Sequence, residues 1–160
     1  MVKIVTILLA MVMMAGSVFG ADNKGSQVTE NETKALNALL LFHSVELTYQ
    51  AREGKGSFAD IETMFKLAYI DGELSNATGC PAMVEAIYNN RCAGDGAALH
   101  GYKFKVFVQS AEGGKPARFT VFAYPSVASG DGKTGERCFS IDDTGEIRIF
   151  AATAQPRASF

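Results

Sequence analysis

Residues 101–125 read GYKFKVFVQSAEGGKPARFTVFAYP, and the spacing of apolar side chains changes where this stretch begins. Before Gly101 apolar residues recur every three or four positions. After it they alternate with other residues, at Tyr102, Phe104, Val106 and Val108. Alternation is typical of a strand with one buried face. Because the segment EGGKP separates two such runs, the sequence predicts a β-hairpin formed by residues 102–109 and 117–124.

A second pair of alternating runs occupies residues 135–150, GERCFSIDDTGEIRIF. It predicts strands at 136–142 and 146–150, with Phe139 and Ile141 in the core together with Ile147 and Ile149. Sequential strands with short polar links form an antiparallel meander.

The adjacent carboxylates Asp142 and Asp143 raise the question of a metal or acid/base pair. Asp bonds readily to the local backbone, and a Gly that follows can take a positive φ, so DDTG predicts a turn. Catalytic carboxylates usually face each other across a cleft, whereas neighbours on a hairpin tip point apart into water. We therefore expect a structural role for both residues.

Residues 33–52 contain neither Pro nor Gly and predict a long helix capped by Thr29 or Asn31. The apolar stripe of this helix is predicted to contain Leu36, Leu39, Leu40, His43, Leu47 and Tyr49. A second helix is predicted over 58–68 with Ser57 as its cap, followed by an irregular, glycine-rich excursion in which 83–88 can form a short helix.

The predicted fold class is therefore α+β, with a long N-terminal helix packed on a four-stranded antiparallel sheet. The polar segment DNKGSQVTEN has no apolar period, so residues 21–32 are predicted to be a flexible leader. The domain is expected to span 33–150, and 151–160 to form a C-terminal tail.

The N-terminus predicts export. Lys3 precedes an apolar run over 4–15 that ends in small residues, which is typical of a signal peptide over residues 1–20 with a cut near Ala21. The alternative is an uncleaved membrane helix, although roughly 20 apolar residues are needed to span a bilayer. We expect a periplasmic or secreted protein, associated with a membrane only if this segment is retained.

The charge of the chain argues against nucleic acid as a partner. Removing Lys3 from the 15 basic residues leaves 14 against 17 acidic ones, a formal charge of −3. No basic run occurs in residues 21–160. Nucleic acid is therefore not an expected partner. A protein partner is expected, and the sequence does not identify it.

Three cysteines occur, and an odd count in an exported protein indicates one disulfide and one free thiol. A Cys80–Cys92 bridge would close a loop of about a dozen residues and order the excursion. Cys138 is expected to be free, because it points away from the Phe139 face. The rival pairing joins Cys138 to one of the other two, with the excursion draped on the sheet.

No catalytic, metal or cofactor residue is predicted. His43 lies on an apolar helix face, where a single His is usually a core or boundary residue, and His100 precedes a Gly in a loop. The loop Ser129 to Gly135, SGDGKTG, offers oxygen ligands for Ca²⁺ but has few carboxylates, so a solvated turn is expected and calcium binding stays open.

The order of these motifs resembles the soluble head of type IV pilin-like and pseudopilin-like proteins. The stretches that carry the resemblance are ALNALLLFHSVELTYQAREGKGSFADIETM, GYKFKVF, RFTVFAYP and TGERCFSIDDTGEIRIF, within residues 33–150. The resemblance implies the back half of a spine helix packed on a four-stranded sheet. The usual prepilin processing site, with a Glu as the fifth mature residue, is absent, which implies a head released from its stalk.

Three functions follow as expectations. The first is an exported, non-catalytic structural or interaction module, which is not an enzyme and which meets a partner through the outer face of the sheet or through the disulfide loop. The second is a membrane-anchored minor pilin-like component of a secretion or pilus apparatus. The third is a small-ligand binding protein, which requires a pocket with converging polar groups.

Overall fold

The computed structural model describes residues 23–78 and 97–154, which form three helices and a four-stranded sheet. The helices are α1 (Asn23–Arg52), α2 (Ile61–Lys66) and α3 (Gly72–Ala77). The strands are β1 (Tyr102–Gln109), β2 (Arg118–Pro125), β3 (Arg137–Asp142) and β4 (Ile147–Ala151). The predicted signal peptide at 1–20, the 83–88 helix, both Cys80 and Cys92, and the end of the tail lie outside the described residues.

The sheet is an antiparallel meander in the order β1-β2-β3-β4, as the alternating runs predicted. Each predicted strand boundary agrees with the structure to within one residue. Directly paired residues share one face, and the pairs Phe104↔Ala123, Ala123↔Phe139 and Phe139↔Ile149 define the face that α1 covers. The α+β prediction, a helix on a four-stranded antiparallel sheet, is confirmed.

The helix α1 lies along β3 on one face of the sheet. Near the start of β3, the carboxylate of Glu32 accepts a hydrogen bond from the Glu136 N–H at 2.9 Å and one from Nε of Arg137 at 3.0 Å. Near its end, His43 lies beside Gly145 and its ring centroid is 6.0 Å from that of Phe119. The helix therefore runs in the same direction as β3.

The predicted flexible leader is wrong for residues 23–32, which belong to α1. Thr29 and Asn31 consequently cap nothing. Tertiary contacts order this polar segment: Val28 is buried, and Nδ2 of Asn31 donates to the Thr134 carbonyl at 3.0 Å. Local pairs add to this, because Nζ of Lys34 lies 2.7 Å from the Glu30 carboxylate one turn earlier. These contacts override a sequence that has no apolar period.

The buried stripe of α1 differs from the predicted one. Leu39 is buried as expected, but Leu40 and Leu47 are exposed and Phe42 is fully buried in their place. The core-facing positions of α1 lie at helical spacing, at Val28, Glu32, Ala35, Leu39, Phe42 and Glu46. The predicted stripe was too wide because five leucines and one phenylalanine occupy more of the helix circumference than the sheet can cover.

The chain after α1 returns toward the sheet through two short helices. Asp60, and not the predicted Ser57, caps α2: its Oδ1 accepts the Thr63 N–H at 2.7 Å. Asp71 gives α3 the same kind of contact, with the Leu74 N–H at 2.9 Å. Met64 and Leu74 are buried, and α3 contacts β1. The helix α3 therefore lies against β1, and α2 packs on α3, whereas α1 contacts mainly β3 and β2 and contacts β1 less.

Candidate functional site

The carboxylates of Asp142 and Asp143 do not form a site together. Oδ1 of Asp142 accepts the Thr144 N–H at 3.0 Å, and its Oδ2 lies 3.2 Å from the Arg148 guanidinium. Asp143 binds a different cation, Arg118, at 2.5 Å. Gly145 closes the turn with φ of +81° and donates its N–H to the Asp142 carbonyl at 2.9 Å. The turn prediction is confirmed.

One part of that prediction is wrong, since Asp142 does not point into water. It is only 3% exposed. Burial by itself raises the pKa of Asp142, but hydrogen bonds from Thr144 and the positive charge of Arg148 outweigh burial and hold the pKa below its usual value. Asp142 is therefore an ionised structural residue that ties the turn to β4.

Cys138 is buried on the sheet face opposite α1, as its alternation with Phe139 predicted, and its thiol forms no disulfide with any described residue. Its Sγ contacts the carbonyl of Ala152 at 3.3 Å, so the chain that leaves β4 curls over that opposite face. Burial raises the pKa of the Cys138 thiol to about 11, which makes it a poor nucleophile. The Cys80–Cys92 disulfide lies outside the described residues and stays a prediction.

The histidines and the Ser129 to Gly135 loop are not assembled into a centre. His100 is exposed in a turn, and Asp131 is exposed in the loop. Within residues 23–78 and 97–154, no three His, Cys, Asp or Glu side chains are grouped closely enough to hold a metal ion. None of the helices in these two segments combines the length and apolar character needed to cross a bilayer.

Two buried carboxylates on α1 were not singled out from the sequence. Glu32 and Glu46 lie seven residues to either side of Leu39 and therefore on its face, which is the signal that could have identified them. Glu32 pairs with Arg137. Glu46 is fully buried, and its Oε2 accepts the Ala59 N–H at 2.9 Å. Its Oε1 has no hydrogen-bond partner within residues 23–78 and 97–154.

Burial raises the pKa of Glu46 to about 7, and the negative charge of Asp60 also raises it, to a smaller extent. The hydrogen bond from Ala59 lowers this pKa but does not outweigh burial. The neutral acid is therefore populated near neutral pH. This carboxyl group joins α1 to the segment that leads into α2. We assign it a structural role, since it faces the core.

An exposed apolar surface lies at β4, which is an edge strand of the sheet that the described residues form. Ile147 and Ile149 pair with the buried residues Ile141 and Phe139, so they lie on the face that α1 covers. Nevertheless Ile147 is 38% exposed and Ile149 is 58% exposed. This overturns the prediction that both belong to the core. The reason is geometric: α1 lies along β3 and does not extend over β4.

The same flank of α1 adds further apolar side chains to this surface. Phe42 and Tyr49 contact Phe104 and Tyr69 toward β1 and α2, whereas His43 contacts the β3–β4 turn. Side chains at helical spacing around His43 therefore face the β4 side. We call this surface the β4 ledge. Its exposed members are Leu40, Leu47, Ile147 and Ile149, and the partly buried Leu36 lies beside them.

No protein-family model, curated protein or solved structure matches this chain.

Proposed function

We propose that this protein is an exported, non-catalytic structural or interaction module built like the head of a pilin. It acts outside the cytoplasm, in the periplasm or after secretion, and binds a protein partner. The β4 ledge is the observation that carries the proposal. Apolar side chains that a folded domain leaves exposed together, beside an unpaired strand edge, are typical of a protein-binding surface.

The order of elements supports the pilin-like part of the proposal. A long helix is followed by an antiparallel meander, and α1 packs against its central strands β2 and β3. This is the arrangement that the sequence resemblance implies for residues 33–150. The signal-peptide pattern over 1–20 supports the location.

The start of α1 favours a second candidate function, a membrane-anchored minor pilin-like component of a secretion or pilus apparatus. Because α1 begins at Asn23, the polar segment at 23–32 does not interrupt it. The described part of α1 therefore begins three residues after the N-terminal segment 1–20. Retention of residues 1–20 would place the head directly above a membrane.

The mass of the mature N-terminal peptide separates these two functions. The full chain is produced in a bacterium with a periplasm, and the soluble and membrane fractions are analysed by mass spectrometry. A soluble protein that begins near Ala21 supports the released module. A membrane-bound protein that retains Lys3 supports the anchored component and overturns the released one.

Site-specific photo-crosslinking tests the interaction function. Benzoylphenylalanine is placed at position 47 on the β4 ledge and, as a matched control, at position 37, where exposed Asn37 lies on the solvent side of the same helix. Illumination of the producing cells is expected to give a defined crosslinked species from position 47 and none from position 37. Equal or absent crosslinking at both positions would contradict a role for the ledge.

A further inference from the structure

We infer that the partner on the β4 ledge is a second copy of this chain, joined to the first by antiparallel pairing of the two β4 strands. The inference rests on the proposed function, because it names the occupant of the same surface. Two meanders would then form one eight-stranded sheet with both α1 helices on the same side. Such an interface is closed by a twofold axis and uses the same residues twice.

The two edges of the sheet differ in how they discourage pairing. The edge strand β1 is flanked by α3 and carries Lys103 and Lys105, and lysines on an edge strand are a common protection against pairing. The edge strand β4 contains no lysine. Its central residue, Ile149, is the most exposed large apolar side chain of the described residues. Among the described residues, the outer edge of β4 and the apolar ledge are therefore continuous.

The charges of β4 select one register. Antiparallel pairing about Ile149 uses all five residues of the strand, and it opposes Ile149 to itself, Ile147 to Ala151 and Arg148 to Phe150. Pairing about Arg148 instead would place two guanidinium groups opposite each other, which is destabilising. Arg148 already binds Asp142 and Glu146, at 3.2 and 2.9 Å, so it requires no acidic partner.

The distance between the two β3 strands in such a dimer leaves room for both α1 helices side by side. Three strand spacings of about 4.8 Å separate the two β3 strands, which places them roughly 14 Å apart. A helix that lies above each is about 10–12 Å wide with its side chains. The two α1 helices would therefore flank a floor of four isoleucines. Leu40 and Leu47 from each copy would lie over these isoleucines. The space between the two α1 helices would then be too narrow for another helix.

The chain after β4 does not compete for this surface within the described residues. Ala152 and Ala154 lie against Cys138, which is on the sheet face opposite α1. The ledge is thus left open where the described chain ends.

The first test measures the mass of the purified exported protein by sedimentation velocity over a range of concentrations. We expect a dimer. Ile149→Lys places two like charges together at the twofold axis and is expected to weaken dimerisation by at least about 100-fold. Leu41→Lys is the matched control, because Leu41 is 49% exposed on the other flank of α1, and it should leave the dimer unchanged.

The second test reads the register. Ile149→Cys places two thiols directly opposite each other and should form an intermolecular disulfide, identified by non-reducing peptide mapping. Ile147→Cys should not, because its two copies would be separated by four residues of extended strand, about 13 Å, and bridged Cα atoms lie within about 7 Å. Circular dichroism of each variant verifies that it is folded.

The outcomes separate this inference from the proposed function. A dimer that Ile149→Lys dissociates and Ile149→Cys crosslinks supports both. A purified protein that is monomeric throughout overturns the inference, and crosslinking from position 47 in cells would then retain the function with a different partner, such as an extended peptide added to β4. A dimer that crosslinks through position 147 but not 149 also overturns the inference.

Discussion

Glu46 makes the stability of this protein depend on pH in an unusual direction. Most carboxylates that are paired in a folded protein stabilise it as pH rises, whereas burial raises the pKa of Glu46 from 4.5 to about 7. The folded state therefore binds a proton that the unfolded state has released. Its contribution is fully present below the unfolded pKa of 4.5 and is lost as pH rises through the folded pKa of about 7.

The size of this effect follows from the pKa difference. A pKa that rises from 4.5 to about 7 on folding contributes about 3 kcal/mol to the free energy of unfolding, and most of this contribution is lost between pH 5 and pH 9. A small domain has only about 5–15 kcal/mol of total stability, so the effect is measurable. Glu46→Gln removes the titration and keeps an oxygen that can accept the Ala59 N–H.

Urea unfolding followed by far-ultraviolet circular dichroism at pH 5, 7 and 9 gives the free energy of unfolding of both proteins. From pH 5 to pH 9 the free energy of unfolding of Glu46→Gln is expected to rise by about 2–3 kcal/mol relative to that of the natural chain. Glu73→Gln, which alters an exposed carboxylate on α3, is the control and should gain nothing. A difference between Glu46→Gln and the natural chain that stays constant with pH would refute the reasoning.

Three further predictions concern the second hairpin and the cysteines. Phe139→Ala removes a fully buried ring and should lower the free energy of unfolding by about 3–5 kcal/mol in urea melts. Asp142→Ala leaves the Thr144 N–H without its acceptor and removes one of the two acidic partners of Arg148, so we expect a smaller loss of about 1–3 kcal/mol, with no change in metal content by mass spectrometry. Non-reducing peptide mapping should find Cys80 linked to Cys92; a linked peptide that contains Cys138 would contradict this pairing.

The strands and the turn between β3 and β4 could be predicted because their signals are local. Alternation of apolar residues fixes which side chains share a face, and DDTG supplies its own hydrogen-bonding groups. For the same reason the face of Cys138 followed from its neighbour Phe139. Pairing of consecutive strands then required only short connections.

The exposure of the β4 ledge could not be predicted, because a shared face does not imply burial. Phe139 and Ile149 are direct partners, yet one is fully buried and the other is 58% exposed. A helix about 10 Å wide covers only about two strands spaced 4.8 Å apart. The sequence does not indicate which two strands α1 covers.

The sequence by itself therefore determined the class of fold, the strand boundaries, the turn and the alternation of faces, since each depends on neighbouring residues. Only the tertiary structure decided how far α1 extends and which carboxylates it buries. It also decided that α1 lies along β3. That placement leaves Ile147 and Ile149 uncovered, because distant contacts such as Glu32 with Arg137 and His43 with Gly145 fix the helix over one part of the sheet.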